Sequence, residues 1–332
     1  MMSETSFAAP QSQSLNPSDA TQTRVLSRSL FWRWGAGPAW LLAALVTWKW
    51  PDADDFPATN QFAALLAAVG FFLIVLAAIG RLQNRAPWAL VLGLGLGVWE
   101  TVQAKLLLLP RPFFGTPQDL LDVFLTDWKR LGDSLFHSLL LLAGGYVSGS
   151  ILGIIVGVAL GRSHHIRYWV RPIMRVIGPL PPVALLPLAF VVIPSTRLAG
   201  EALMALAAGF PVAVLTWSGV SAVDPAYYDV ARTMGARNRF LVLRVALPAA
   251  TPQIFVGLFM GLGASFAMLV VAEMLGVKSG LGFYMQWAQG WAAYPNMYAA
   301  LCVMSLMCTT LMTLLFKVRD HLLKWQKDGL KW

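Results

Sequence analysis

Long apolar stretches separated by short polar connections dominate this chain. An α-helix needs about 20 apolar residues to cross a bilayer, and eight stretches of the sequence approach that length. They are residues 34–50, 61–80, 87–109, 135–161, 172–193, 199–220, 250–275 and 297–316. The pattern therefore predicts an all-α membrane protein with about eight transmembrane helices.

The composition supports this class. Hydrophobic residues make up 57% of the 332 residues and charged residues only 12%, whereas a soluble domain carries about 25% charged residues. The net charge of +9 would suit a nucleic-acid ligand, but Lys and Arg also collect in the cytoplasmic loops of membrane proteins. We therefore expect contacts with membrane lipid and none with nucleic acid.

The first 30 residues differ from the rest of the chain. Residues 1–30 are rich in Ser, Thr, Gln and Asn and contain no apolar run. A cleavable signal peptide needs a charged start and then an apolar run of about 7–15 residues. We therefore interpret this segment as a disordered cytoplasmic tail.

The fifth predicted span is rich in proline. It contains or adjoins Pro172, Pro179, Pro181, Pro182, Pro187 and Pro194. Proline removes a backbone donor and clashes with the preceding turn, so the span cannot be a regular helix throughout. Broken backbone at membrane depth is tolerated only inside a protein or beside a water-filled path, and we expect this span to face the protein interior.

The distribution of Lys and Arg predicts the orientation of the chain. Placing the N-terminus inside puts most of the 25 basic residues in cytoplasmic segments, while the acidic loop 51–60 lies outside. By the positive-inside rule, we expect an even number of spans with both termini cytoplasmic. The segment 221–249 is then cytoplasmic as well.

Glycines recur every four residues in the fourth span. Gly145, Gly149, Gly153, Gly157 and Gly161 share one helix face, and such stripes let helices approach closely in lipid. The P-loop pattern GxxxxGK[ST] occurs nowhere in the chain. We therefore expect any ATP hydrolysis to occur on another polypeptide and interpret this chain as a protein without enzyme activity.

The segment 221–249 carries the signals of a short helix between two spans. Asp224 suits the N-terminal capping position of a helix, and Pro225 suits the first helical position. Gly235 can adopt the left-handed conformation that ends a helix. A second helical stretch follows and is expected to end near Pro248. By composition alone, a plain basic loop at the membrane surface fits equally well.

This segment resembles the cytoplasmic coupling loop of binding-protein-dependent ABC importer permeases. In that family an acidic residue, a small residue and Ala are followed by Gly four residues on and by an apolar-Leu-Pro end. Here Asp229, Val230, Ala231, Gly235 and the run Ala246-Leu247-Pro248 fill those places. Other matching stretches are LPRP (109–112), SLFHSL (134–139), LPPVALLPLA (180–189), LPAATPQIFVGL (247–258), VAEM (271–274) and SGLGF (279–283). Within the family the chain is most similar to the nitrate, sulfonate and taurine type.

The resemblance implies an organisation and a set of partners. Two extra N-terminal transmembrane helices (31–86) would precede a six-helix permease core (87–318), and a cytoplasmic tail (319–332) would follow it. The implied location is the bacterial inner membrane. The implied partners are a cytoplasmic ABC ATPase dimer, an external solute-binding protein and a second copy of the permease. ATP and Mg²⁺ would be bound by the ATPase, with no cofactor in this chain, and the solute would be a small anion such as a sulfonate, taurine or nitrate.

The resemblance also implies which residues carry function. In the family the coupling helix sits in a groove of the ATPase and transmits its closure to the spans. The matching coupling residues are Tyr228, Asp229, Ala231, Arg232, Met234, Gly235, Leu247 and Pro248.

The candidates for the translocation path are Pro182, Phe190, Glu273 and Met274. A charged group at the bilayer centre costs about 3 kcal/mol, so Glu273 should face the interior or water. It is interpreted either as a path residue or as a carboxylate that orients the end of its helix.

Two other function classes stay open at this point. A secondary transporter also uses broken helices at a central site, but it requires an inverted repeat and coupling-ion residues, which the sequence does not clearly show. A membrane-embedded enzyme requires a catalytic constellation, and none stands out. Co-purification with an ATPase distinguishes the importer permease from the secondary transporter.

Overall fold

The computed structural model describes residues 34–82 and 85–324, which form α-helices joined by short turns. The helices are α1 (34–49), α2 (Thr59–Ala78), α3 (Ala86–Glu100), α4 (Pro117–Thr126), α5 (Trp128–Arg162), α6 (His164–Ile177), α7 (Leu186–Val192), α8 (Thr196–Ser221), α9 (Pro225–Thr233), α10 (Asn238–Phe240), α11 (Leu247–Leu275), α12 (Leu281–Gly290) and α13 (Tyr294–Leu322). No β-strand occurs among these residues. The predicted all-α fold class is confirmed.

The described residues divide into two compact units, with the limit between Asp122 and Val123. The limits predicted from sequence, with helices at 31–86 and a core at 87–318, stay predictions. The predicted tail 1–30 and most of the tail 319–332 lie outside the described residues. Helix α13 runs to Leu322 and so continues past the predicted start of the second tail.

Among the described residues, five helices are long and apolar enough to cross a membrane. They are Thr59–Ala78, Trp128–Arg162, Thr196–Ser221, the continuous run Asn238–Leu275, and Tyr294–Leu322. A sixth span exists if the two halves of the proline-rich segment, bent by 86°, count as one. The predicted count of eight is therefore not confirmed in the described part of the chain.

The third predicted span falls short because its polar residues turn inward. Helix α3 ends at Glu100 after 15 residues and passes into a π-helical turn, Thr101–Lys105. Glu100, Gln103 and Lys105 are all buried. Helix α1, which covers 34–49 of the first predicted span, is shorter than any of these five helices.

Lys105 is the centre of a buried polar cluster in the first unit. Its Nζ lies 2.6 Å from the Asp52 carboxylate and 3.7 Å from that of Glu100, and it donates to two backbone carbonyl oxygens at the end of α1. Gln118 donates to Glu100 Oε1 at 2.6 Å. Because a buried charge is tolerated only with such partners, the cluster holds the ends of α1, α3 and α4 together.

Helices α5, α8 and α11 form the centre of the second unit. The glycine stripe of α5 faces α8, where a Cβ on Gly153 would lie 2.6 Å from the carbonyl oxygen of Gly209, and a Cβ on Gly149 would overlap the backbone of Ala205. Glycine alone permits this approach, since the opposing atoms belong to backbone and cannot turn away. The packing role predicted for the stripe is confirmed.

The proline-rich segment is irregular as predicted, but it does not face the interior of the single chain. A 3₁₀ turn, Pro182–Leu185, separates α6 from α7. No residue of α6 is buried, and Leu186 is the buried residue of α7. Within one chain these short helices have few neighbours to cover them.

Candidate functional site

The segment 221–249 contains the short helix α9, bounded as the sequence indicates. Asp224 Oδ1 accepts a hydrogen bond from the N–H of Ala226 at 2.9 Å, and Pro225 occupies the first turn. Gly235 follows with φ of +81°, and its N–H donates to the carbonyl oxygen of Arg232. A Cβ on Gly235 would meet no atom within 4 Å, so the backbone conformation rather than space favours glycine there.

One face of α9 packs against the long helices. Tyr228 lies against a buried cluster formed by Val220 of α8 together with Ala246, Ala250 and Ile254. The guanidinium Cζ of Arg162, at the end of α5, lies 4.7 Å from the centroid of the Tyr228 ring. Leu247 packs on the same cluster. Through Tyr228, α9 therefore contacts α5, α8 and α11.

The opposite face of α9 is apolar and exposed. Tyr227, Val230 and Met234 keep 67%, 61% and 83% of their surfaces accessible. They line a cavity of about 1000 Å³, which we call the outer groove. The other residues of the outer groove are Ala226, Ala231, Gly235, Ala236, Arg237, Arg239, Phe240, Leu243 and Arg244.

The remaining predicted coupling residues lie around these two faces. Asp229 and Arg232 form an exposed ion pair at 3.4 Å. The sequence predicts that the helical stretch after Arg237 ends near Pro248. This prediction is wrong, because the helix runs without interruption from Asn238 to Leu275. A wider π-helical turn, Leu241–Ala246, directly precedes Leu247 and Pro248 and accommodates the missing proline donor.

The four predicted path residues do not form a single cluster. Pro182 lines an apolar cavity of about 400 Å³ between the proline-rich segment, α8 and α11. Phe190 packs against Gly276, just beyond α11. Neither Glu273 nor Met274 lines the Pro182 cavity.

Glu273 is buried, and both of its carboxylate oxygens accept hydrogen bonds. Ser138 of α5 donates to Oε1 at 2.6 Å, and the N–H of Gly282 donates to Oε2 at 2.8 Å. Ser138 Oγ also accepts from the N–H of Leu281 at 2.8 Å. Glu273 and Ser138 thus satisfy the first donors of α12, which is the arrangement of a helix cap. This geometry favours the helix-orienting interpretation of Glu273 over the path interpretation.

A second polar cluster links the start of α5 to α12 and α13. Tyr284 donates to Asp127 Oδ2 at 2.8 Å, and Asn296 donates to the Tyr284 hydroxyl at 2.7 Å. Burial raises the pKa of Tyr284 to about 12, so its phenol stays protonated at neutral pH. The cap formed by Glu273 and Ser138 and the cluster around Tyr284 together fix α12 to the end of the bundle at which α5 begins.

The residue pattern does not identify Arg162, Ser138, Gly280 and Asp127 as members of these clusters. The stretches SLFHSL and SGLGF contain Ser138 and Gly280, but pairing them requires a contact across more than 130 residues. Gly280 has φ of +103°, and a Cβ there would overlap the Glu273 carboxylate. Arg162 is one of the 25 basic residues of the chain, and its position in the sequence carries no signal of a contact with Tyr228.

Comparison with known families agrees with this architecture. The family described as "binding-protein-dependent transport system inner membrane component" matches residues 149–328, which include α9 and the outer groove. The chain therefore belongs to the inner-membrane permeases of binding-protein-dependent ABC importers, of the nitrate, sulfonate and taurine type. This assignment decides against the secondary transporter and the membrane-embedded enzyme.

Three curated relatives indicate how far the similarity extends. A "Probable ABC transporter permease protein" of Brucella abortus is 31% identical over 251 residues, which cover 74% of this chain and 98% of the relative. The taurine transport system permease protein TauC of Escherichia coli is 31% identical over 266 residues, which cover 75% of this chain and 95% of TauC. The nitrate import permease protein NrtB of Synechocystis sp. is 31% identical over 168 residues, which cover 51% of this chain and 59% of NrtB.

Proposed function

We propose that this chain forms the membrane path of an importer for a small anion of the sulfonate, taurine or nitrate kind. Membership of the permease family is the first support. The relatives named for taurine, aliphatic sulfonates and nitrate support the class of solute. These solutes share a compact oxyanion group, so the proposal names that chemistry rather than one compound.

The observation that carries the proposed mechanism is the two-sided packing of α9. Its inner face, through Tyr228, contacts the ends of α5, α8 and α11, while its outer face lines an open apolar groove with three arginines. A rigid helix of this kind transmits a displacement from a docked partner to the long helices. The proposed partner is the ABC ATPase dimer, which binds and hydrolyses Mg-ATP, and its matching surface is apolar with an acidic border.

The proposal includes an orientation and an assembly. The basic segments that contain α9 lie in the cytoplasm, and both termini are cytoplasmic, which the positive-inside rule supports. A solute-binding protein docks on the opposite side, near α12. A second copy of the chain completes the path, and the exposed apolar residues of α7 together with the Pro182 cavity are consistent with such a partner.

Uptake by the reconstituted complex tests the proposal. The permease, its ATPase and its binding protein are placed in proteoliposomes, and uptake of radiolabelled taurine, ethanesulfonate and nitrate is measured with and without ATP. We expect uptake of at least one of these anions only when ATP and the binding protein are both present. Uptake by the permease alone, driven by an ion gradient, would contradict the proposal.

A further inference from the structure

Helix α6 separates its charged and apolar residues onto opposite faces. At about 100° per residue, three arginines spaced by four positions lie together on one face, and the opposite face is apolar. The basic face contains Arg167, Arg171 and Arg175, and the apolar face contains Ile166, Trp169, Ile173 and Val176. A short helix with this division is typical of a segment that lies at a membrane surface.

The apolar face of α6 is not covered by the other described residues. No residue of the helix is buried, and Trp169 and Val176 keep 71% and 69% of their surfaces exposed. Tyr168 packs edge-on against Trp169, and such aromatic residues are enriched at membrane interfaces. This face is therefore suited to apolar surroundings outside the chain.

The geometry of the connections places α6 across the direction of its neighbour. Its axis makes an angle of 86° with the following segment, Pro182–Val192. Arg167 donates to the carbonyl oxygens of Leu160 and Gly161 and so fixes the start of α6 at the end of α5. If Pro182–Val192 descends into the bilayer, α6 lies nearly parallel to the membrane plane, at the end of the bundle that carries α9.

The basic face of α6 lacks acidic partners in the described part of the chain. Among residues 34–82 and 85–324, no carboxylate lies within ion-pair distance of Arg167, Arg171 or Arg175. The guanidinium of Arg167 is hydrogen-bonded to backbone carbonyl oxygens. The guanidinium Cζ of Arg171 lies 5.9 Å from the centroid of the Trp217 ring. Arg171 and Arg175 thus have charge available for an external anion.

We propose that α6 is an interfacial helix that binds anionic lipid headgroups of the cytoplasmic leaflet. The Trp169 face enters the boundary of the hydrocarbon region, and Arg171 and Arg175 contact lipid phosphates. Each basic residue near an anionic membrane surface strengthens binding by at most about fivefold. The inference rests on the proposed cytoplasmic location of α9 but not on the identity of the solute.

Fluorescence quenching by brominated lipids tests this inference on the full chain. The chain is reconstituted in phosphatidylcholine vesicles that contain either brominated phosphatidylglycerol or brominated phosphatidylcholine. The signal of Trp169 is obtained by difference from a Trp169→Phe variant. We expect Trp169 to be quenched several-fold more effectively by the anionic lipid, with no change when millimolar inorganic phosphate is added.

Two matched double variants distinguish the basic face from general charge. Arg171→Gln with Arg175→Gln is expected to abolish the preference for phosphatidylglycerol. Lys129→Gln with Lys278→Gln removes two exposed charges at the other end of α5, about 50 Å away by helix rise, and is expected to preserve it. Equal quenching by both lipids in the parent chain, or equal loss in both variants, would overturn the inference.

The same variants separate this inference from the proposed function. If the Arg171/Arg175 variant keeps its lipid preference but no longer co-purifies with the ATPase, the basic face belongs to the ATPase and the inference fails. If the parent chain shows the lipid preference but does not associate with an ATPase, the inference holds and the proposed coupling fails.

Discussion

The guanidinium of Arg162, at the end of α5, lies 4.7 Å above the centre of the Tyr228 ring on α9. A cation over an aromatic face is stabilising by about 0.5–2 kcal/mol, and the tyrosine adds its packing on the cluster around Ala246 and Ala250. This contact connects a short helix with an exposed outer face to a helix of 35 residues. It is the structural basis for the coupling role proposed for α9.

Adjacent tyrosines on α9 are expected to have different roles. Tyr227 is 67% exposed and lines the outer groove, whereas Tyr228 packs inward. Tyr227→Ala should weaken association with the ATPase by about tenfold, because it removes an apolar contact of roughly 1–2 kcal/mol from the docking surface. Titration of the purified ATPase onto the permease in nanodiscs measures this change. Unchanged affinity for the ATPase would contradict the proposal that the outer groove is part of the docking surface.

Gly235 is expected to be required for its backbone conformation alone. A residue with a side chain costs about 1–2 kcal/mol in the left-handed region, and a β-branched residue is the least suited. Gly235→Val should lower the ATPase activity stimulated by the binding protein, whereas Gly235→Asn should retain most of it. The comparison isolates the backbone conformation, because a Cβ at this position meets no neighbouring atom within 4 Å. Full stimulation in the valine variant would contradict this account of the turn.

Glu273 is expected to act through stability. Glu273→Gln places an amide donor where two donors already converge, and Ser138→Ala removes a member of the same cap. Each change should destabilise the second unit by about 1–3 kcal/mol, seen as a lower melting temperature in detergent. If Glu273→Gln keeps the melting temperature of the parent but changes the rate or selectivity of uptake, Glu273 is a path residue.

The glycine stripe of α5 provides a test of helix packing. Gly149→Ala inserts a methyl group against the backbone of Ala205, and overpacking of this kind costs about 1–3 kcal/mol. Gly132→Ala, in the same helix, meets no atom within 4 Å and should be neutral or stabilising by up to about 1 kcal/mol. Thermal unfolding of both variants in the same detergent decides the matter. Equal stability of the two would contradict the close approach of α5 and α8.

The local signals of the sequence predicted local structure well. Asp224, Pro225 and Gly235 bound α9 as their chemistry requires, since capping and left-handed turns depend on a few adjacent residues. The four-residue spacing of glycines likewise predicted close packing. In contrast, the sequence did not predict that α10 continues into α11 past Pro248, because a π-helical turn accommodates the proline and leaves no signal in the residue pattern.

The hydrophobic pattern of the sequence does not predict contacts between distant parts of the chain. The cap formed by Glu273, Ser138 and Gly282 depends on α5 and α11 lying side by side. The hydrophobic pattern also extended the third span to residue 109, because a polar cluster around Lys105 is read as an interruption only when its buried partner Asp52 is known. Hydropathy measures the length of an apolar run but not which side chains meet.

The most direct test of the central claim is the number of solute molecules imported per ATP hydrolysed, measured in proteoliposomes that contain the complex with Tyr228→Ala. We predict that this variant still binds the ATPase, because the outer groove is intact, but that import per ATP falls at least tenfold. Tyr227→Ala, assayed at saturating ATPase, should keep the ratio of the parent complex. An unchanged ratio in the Tyr228 variant would contradict the claim that α9 transmits ATPase closure through its contact with α5.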